Sequence, residues 1–252
     1  MMSIKISPKY SYLKPFIMSL PERMENEGET LHDGRNLIKV FTTDDGLQLN
    51  VKRYHAPHFI NAIVYSTSMR TPKGQRAFEY PSILLGAGIE TPEAVAYMER
   101  RTAGMLRESY FVSIQCPYPN RFYEVLDMKA DEYRPLAEAF ARFTARMHKA
   151  NMMHRDYSPG NILWQRNDDG TYDFSVVDIN RMYFGEVSIE HGCANFARLW
   201  GRKDFFDTIA HTYAKERDTD EKECAEQVWK YRMRFWKKYA KRHKATFMPD
   251  VD

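Results

Sequence analysis

His154-Arg155-Asp156-Tyr157-Ser158-Pro159-Gly160-Asn161 is the stretch from which the rest of the chain is best read. It puts a carboxylate and an amide oxygen five residues apart, with a turn-prone Pro-Gly just before the amide. On its N-terminal side, Leu136, Phe140, Phe143 and Met147 recur at the spacing of one helical face, and Asp131 stands near the start of that face. A helix with a buried face is therefore predicted immediately before His154. On its C-terminal side, a polar turn over Asn167 to Gly170 leads into Phe174-Ser175-Val176-Val177-Asp178, which reads as a short strand closed by an acid. Taken alone, an Asp at a strand end caps the next turn. Behind a loop that already carries Asp156 and Asn161, Asp178 adds a further oxygen donor.

Working outward, the first third of the chain has strand character. Tyr12 to Leu20, Asn36 to Thr42 and Leu47 to Tyr54 are rich in aromatic and branched residues, and Thr43-Asp44-Asp45-Gly46 turns the second into the third. Three antiparallel strands are predicted, the first two joined by a polar loop, PERMENEGETLHDG. Lys73 to Leu85 reads as a helix with Ala77, Ile83 and Leu84 facing inward, and Pro81 predicts a kink or break in it. Strand character resumes at Pro92 to Met98 and Ser109 to Gln115, whereas the chain after residue 130 is mainly helical. The arrangement is α+β in two lobes: residues 1–116, β-rich with one main helix, and residues 117–252, mainly helical, with a hinge near Cys116-Pro117.

Composition narrows the function classes. With 252 residues, 43% of them hydrophobic and 28% charged, the chain can bury a core and is not a disordered polymer. A formal net charge of +3 is too small to argue for a nucleic-acid partner, so any electrostatic argument is local. Cys116, Cys193 and Cys224 form no CxxC pair, which suits reduced, buried thiols of a cytoplasmic protein better than a disulfide or zinc framework. Lys14 and Pro15 interrupt the apolar character of the first residues, and no stretch reaches bilayer-spanning length, so neither export nor a transmembrane anchor is expected.

The central stretch resembles the catalytic loop of protein-kinase-like enzymes, HRD followed by four residues and Asn. That resemblance implies ATP and magnesium as cofactors. It makes Asp156 the carboxylate that orients and deprotonates an acceptor hydroxyl, with His154 and Arg155 beside it, and makes Asn161 and Asp178 the metal ligands, although the second motif reads Asp-Ile-Asn. It also implies that Lys52 engages the nucleotide phosphates and that Glu79 is its ion-pair partner, with Lys39 and Arg53 as competing cations. The segment SMRTPKGQRAFEYPSILLGAGIETPEAVAYME and the segment CANFARLW, with Asn195, Arg198 and Leu199, are similar to the lipopolysaccharide kinases of the Kdo/WaaP type. Membership would mean transfer of the ATP γ-phosphate to a sugar hydroxyl of lipid-linked Kdo or heptose at the inner face of the inner membrane. The pattern departs from protein kinases in three ways: no GxGxxG covers the phosphates, Ser158 stands where a lysine is common, and no APE follows Asp178. A small-molecule or atypical serine kinase and a nucleotide-binding pseudokinase are the alternatives, and retention of Lys52, Asp156, Asn161 and Asp178 argues against the last.

Residues 229–244 carry eight basic residues and no acid, which leaves the remainder of the chain net acidic. On a helical wheel Trp229, Met233, Trp236 and Ala240 share one side, and the basic residues other than Arg232 lie elsewhere. Such a helix either packs by its aromatic side with its lysines in water or offers the basic side to an anionic membrane surface.

Overall fold

A computed structural model describes residues 2–54, 71–103 and 105–243. The chain divides into two compact units, one of Met1–Gly86 with Thr91–Pro117, the other of Ala87–Glu90 with Tyr118–Asp252.

The first unit is built on six antiparallel strands: β1 (Met2–Ile6), β2 (Glu29–Asp33), β3 (Leu37–Thr42), β4 (Gln48–Tyr54), β5 (Ala94–Thr102) and β6 (Met105–Ile114). Their spatial order is β1-β5-β6-β4-β3-β2. Strand alternation sends Leu49 and Val51 to one face, where they join Phe41, Val112 and Met98 in a core closed by Ile17, Leu20 and Met24 of helix α1 (Lys14–Asn26). The strand predicted at Tyr12 to Leu20 is thus helical. Ile17, Leu20 and Met24 repeat at three and four residues, a helical spacing that the local aromatic and branched content masks. The loop predicted between the first strands is also shorter than expected, because its N-terminal half finishes α1 and its C-terminal half is β2. The turn between β2 and β3 is only Gly34-Arg35-Asn36.

On the opposite face lies α2 (Lys73–Gly86), whose Gly74 is seated against Tyr97 and Tyr54, too close for a side chain. The helix runs through Pro81 without a break. Its buried positions are Gly74, Ala77, Pro81 and Leu84, whereas Ile83, expected inside, is exposed. The proline ring faces the interior, and Ser82 Oγ donates to Glu79 O at 2.9 Å.

In the second unit, α3 (Ala130–Lys149) is the central element. It opens with Asp131 and Glu132 in its first turn, favourable at the positive end of the helix dipole, and Glu132 Oε2 accepts from Lys129 N at 3.0 Å. Its buried stripe contains all four predicted residues, Leu136, Phe140, Phe143 and Met147. The Phe140 ring meets Phe122, Tyr157, Phe174 and Phe196 at centroid distances of 4.2 to 6.3 Å. Burying one such side chain contributes about 1.5–3 kcal/mol. Around α3 lie β7 (Asn120–Arg121), β8 (Met152–His154), β9 (Ile162–Arg166), β10 (Tyr172–Val176), β11 (Met182–Phe184), α4 (Ile189–Asn195), α5 (Lys203–Glu216) and α6 (Glu221–Ala240). Strands β7, β9 and β10 form one small sheet, and β8 pairs with β11. Among the described residues no helix is long and apolar enough to cross a membrane.

Candidate active site

The stretch from His154 to Asn161 joins the end of β8 to the start of β9, and its conformation is held by its own polar groups. Ser158 N donates to Asp156 O at 2.8 Å, Asn161 N to Ser158 O at 2.9 Å, and Asn161 Nδ2 to Asp156 O at 2.8 Å. The Asn161 amide nitrogen is thereby spent on the loop, which directs its oxygen away from it. Val177 N donates to Asn161 O at 3.0 Å, so the residue next to Asp178 is fastened to Asn161. Asp156, Asn161 and Asp178 are brought together in this way by one side-chain and one backbone hydrogen bond.

His154 is fully buried and acts as a brace. Asp156 N donates to its Nδ1 at 3.1 Å, which leaves the proton on Nε2 to bond Val177 O at 2.9 Å. Burial holds the imidazole below its ordinary value, so the ring is neutral. His154 therefore connects the loop carrying Asp156 to the strand end carrying Asp178 and has no free nitrogen for proton transfer. Arg155, grouped with the catalytic residues by resemblance, is exposed and lies over the Tyr183 ring at 5.2 Å.

Asp178 stands two residues beyond the end of β10 with φ 57° and ψ 40°, a left-handed conformation that Asp tolerates better than most residues. Asn180 Nδ2 donates to its Oδ1 at 2.6 Å. The donor set, a carboxylate from Asp178 and an amide oxygen from Asn161, has the hard-oxygen chemistry that a magnesium ion requires.

In the first unit, Lys52 lies on β4 with its Nζ 5.3 Å from the centre of the Tyr54 ring. By alternation it shares the sheet face that receives α2. Glu79, on that helix, accepts from Gln75 Nε2 at 2.8 Å and lies 3.6 Å from Lys5 Nζ. Glu79 thus has Lys5 of β1 as an ion-pair neighbour. Of the competing cations, Lys39 donates to Glu27 O at 2.8 Å and Arg53 pairs with Glu25.

Three features of the site were not assigned from the sequence. Arg198 pairs with Asp156 Oδ1, and Arg181 Nη1 comes within 4.0 Å of Asp156 Oδ2. Asn195 Nδ2 donates to His154 O at 2.9 Å, while its Oδ1 accepts from His148 Nε2 at 3.1 Å. His148 Nδ1 in turn accepts from Tyr213 O–H at 2.8 Å, and Arg217 Nη1 donates to that hydroxyl oxygen at 2.7 Å. A buried polar chain drawn from α3, α4 and α5 thus ends on the backbone of the loop. Finally Arg232 of α6, fully buried, donates to Leu199 O at 2.6 Å and to Gly201 O at 3.4 Å. Asn195 and Arg198 stand in a recognisable motif, but nothing in the sequence links either to residues some 40 positions away.

The model of the lipopolysaccharide kinase (Kdo/WaaP) family matches residues 22–199. This chain belongs to that family. It is a lipopolysaccharide-type kinase, a phosphotransferase acting on an alcohol group, and ATP is its phosphoryl donor. Solved structures agree on the fold, which is protein-kinase-like with a β-rich and a mainly helical lobe. A structure of WaaP in complex with acyl carrier protein superposes with a TM-score of 0.60 at 18% identity, over 96% of this chain and 100% of that one. The amicoumacin kinase hAmiN, in complex with AMP-PNP, Ca2+ and Ami, gives 0.59 at 12% identity, over 94% of this chain and 88% of that one. Among curated proteins no relative matches the sequence.

Proposed function

We propose that this kinase transfers the ATP γ-phosphate to a hydroxyl of a Kdo or heptose residue of the lipopolysaccharide core, with Asp156 orienting that hydroxyl and accepting its proton. The observation that carries the reading is the linkage of Asp156, Asn161 and Asp178 through Asn161 Nδ2 to Asp156 O and Val177 N to Asn161 O. Among the described residues Oδ2 of Asp156 takes no hydrogen bond, so one carboxylate oxygen is open to an acceptor while the other is engaged by Arg198. Asn161 and Asp178 would hold magnesium, whose charge neutralises the transferring phosphates when it is bound. The calcium ion in the hAmiN complex supports a divalent metal. Lys52 is the residue assigned to the nucleotide phosphates. His154 positions the loop rather than moving a proton.

The exposed residues Lys230, Arg234, Lys237, Lys238, Lys241 and Arg242 give α6 and the turn after it a basic surface. Its reading as a peripheral contact with an anionic inner-membrane face rests on that charge, with Lys244 lying outside the described residues. The complex of WaaP with acyl carrier protein supports a second reading, a protein partner. Mass spectrometry of the lipid A and core fraction from cells with and without the protein tests the main proposal. The expected result is loss of one phosphate from a core sugar in the deletion strain, restored by the parent and not by Asp156→Ala. An unchanged phosphate count overturns it.

A further inference from the structure

Asp156 is the meeting point of two guanidinium groups. Arg198 pairs with Oδ1, and Arg181 Nη1 stands 4.0 Å from Oδ2. Neither guanidinium makes another hydrogen bond or ion pair among the described residues, and their side chains are 42% and 51% exposed. Two cations on one carboxylate leave these three groups with a charge of +1, beside the Asp178 carboxylate at the start of the turn that carries Arg181. A carboxylate needs only one arginine for a bidentate pair, so the second cation has capacity for another anion.

The backbone beneath the two arginines is held in place. Arg198 ends a tight turn, Phe196–Arg198, and the carbonyls of Leu199 and Gly201 just after it are bonded by the buried Arg232. Arg181 ends the turn Ile179–Arg181 that begins at Asp178. Both groups therefore extend from fixed turns into solvent beside the carboxylate that receives the acceptor. A neutral sugar would use neither charge.

We propose that Arg181 and Arg198 recognise an oxyanion carried by the acceptor close to the hydroxyl that is phosphorylated. Occupation of the pair by that anion sets the hydroxyl against the open Oδ2 of Asp156. The chemistry is shared by two sources, the carboxylate of an octulosonic acid such as Kdo and a phosphate already present on a heptose. The inference rests on the acceptor assignment above, because it takes Asp156 as the acceptor-side residue.

The test pairs each charged sugar with a neutral one: free Kdo with its methyl ester, and heptose 1-phosphate with heptose. Binding is read by titration calorimetry and transfer by phosphate incorporation from ATP, for the parent and for Arg181→Gln, Arg198→Gln and Arg198→Lys. The expected result is at least tenfold tighter binding of one charged sugar than of its neutral counterpart. That preference is lost in both Gln variants and partly restored by Lys. During turnover the loss falls on KM for the charged acceptor, with a smaller change in kcat and none in KM for ATP. The pair that shows the preference identifies the source of the anion. Equal binding of charged and neutral sugars, no binding of either charged sugar, a preference that survives both Gln variants, or a defect confined to KM for ATP would each overturn the inference. Charge-dependent binding without transfer to any of the sugars would instead remove the proposed reaction and leave the anion site standing. Thermal melting of each variant separates these outcomes from misfolding.

Discussion

Asp156 and Asp178 are both carboxylates within one small region, yet they face different chemistry, so their removal should give different kinetics. Asp156→Ala deletes the group proposed to receive the acceptor proton and is expected to lower kcat by about 10²- to 10⁴-fold, with nucleotide affinity nearly unchanged. Asp178→Ala deletes the proposed metal ligand and should weaken binding of magnesium-ATP as well. Titration of a fluorescent ATP analogue in the two variants checks this, and equal affinities would remove the distinction. The pattern from His154 to Asn161 with Asp178 behind it was legible in the sequence because it lies on contiguous chain. The two arginines were not, since nothing local in Asn195-Phe196-Ala197-Arg198 says that the side chain reaches back to residue 156.

At the scale of elements, helices were readable where a buried stripe repeats at three and four residues over several turns, as from Leu136 to Met147. The short α1 was not, because Tyr12, Phe16 and Ile17 carry β propensity that packing against the sheet overrides. The missed edge strand β1, Met2-Ser3-Ile4-Lys5-Ile6, alternates but over only five residues, and β2 has no buried face to show, being exposed along its whole length. Two helices make testable demands on the site. In α4, a methyl at Gly192 would collide with the Tyr213 hydroxyl and lie 3.1 Å from His148 Nδ1. Gly192→Ala should therefore displace the polar chain that ends on His154 O, lowering both thermal stability and kcat, whereas Gly86→Ala, with open space around it, should do neither. In α6, Arg232→Met removes the donor from two carbonyls at an apolar site over Phe206. The expected cost is about 1–3 kcal/mol for each carbonyl left without a partner, read from urea unfolding, and a value near zero would mean that water replaces the arginine.

For the whole molecule, pH acts through the buried His148. Burial holds its imidazole down at about 3, against 6.5 when exposed. The unfolded chain thus binds a proton that the folded chain refuses. The stability from this group is complete above pH 6.5 and is lost as pH falls toward 3, with a slope of at most about 1.4 kcal/mol per pH unit. Urea midpoints at pH 7.5 and 5.0 should show the fall, and His148→Gln should reduce it, leaving the share that the equally buried His154 contributes in the same direction. An unchanged slope would assign the effect to other groups. Salt acts through α6 instead. If its basic side meets anionic lipid, replacing Lys237, Lys238, Lys241 and Arg242 with Gln removes about 1 kcal/mol each, and sedimentation with anionic liposomes should fall, as it should for the parent in high salt. Equal sedimentation at low salt would leave the protein-partner reading in its place. The six-stranded sheet has a consequence of another kind. Its outermost strand on one side, β2, presents Glu29 and Asp33 at the two ends of an exposed rim, so a second copy approaching edge to edge meets like charge where it would need to add a strand. That rim is a guard against fibre growth, and making it apolar would turn an ordinary enzyme into an aggregation template.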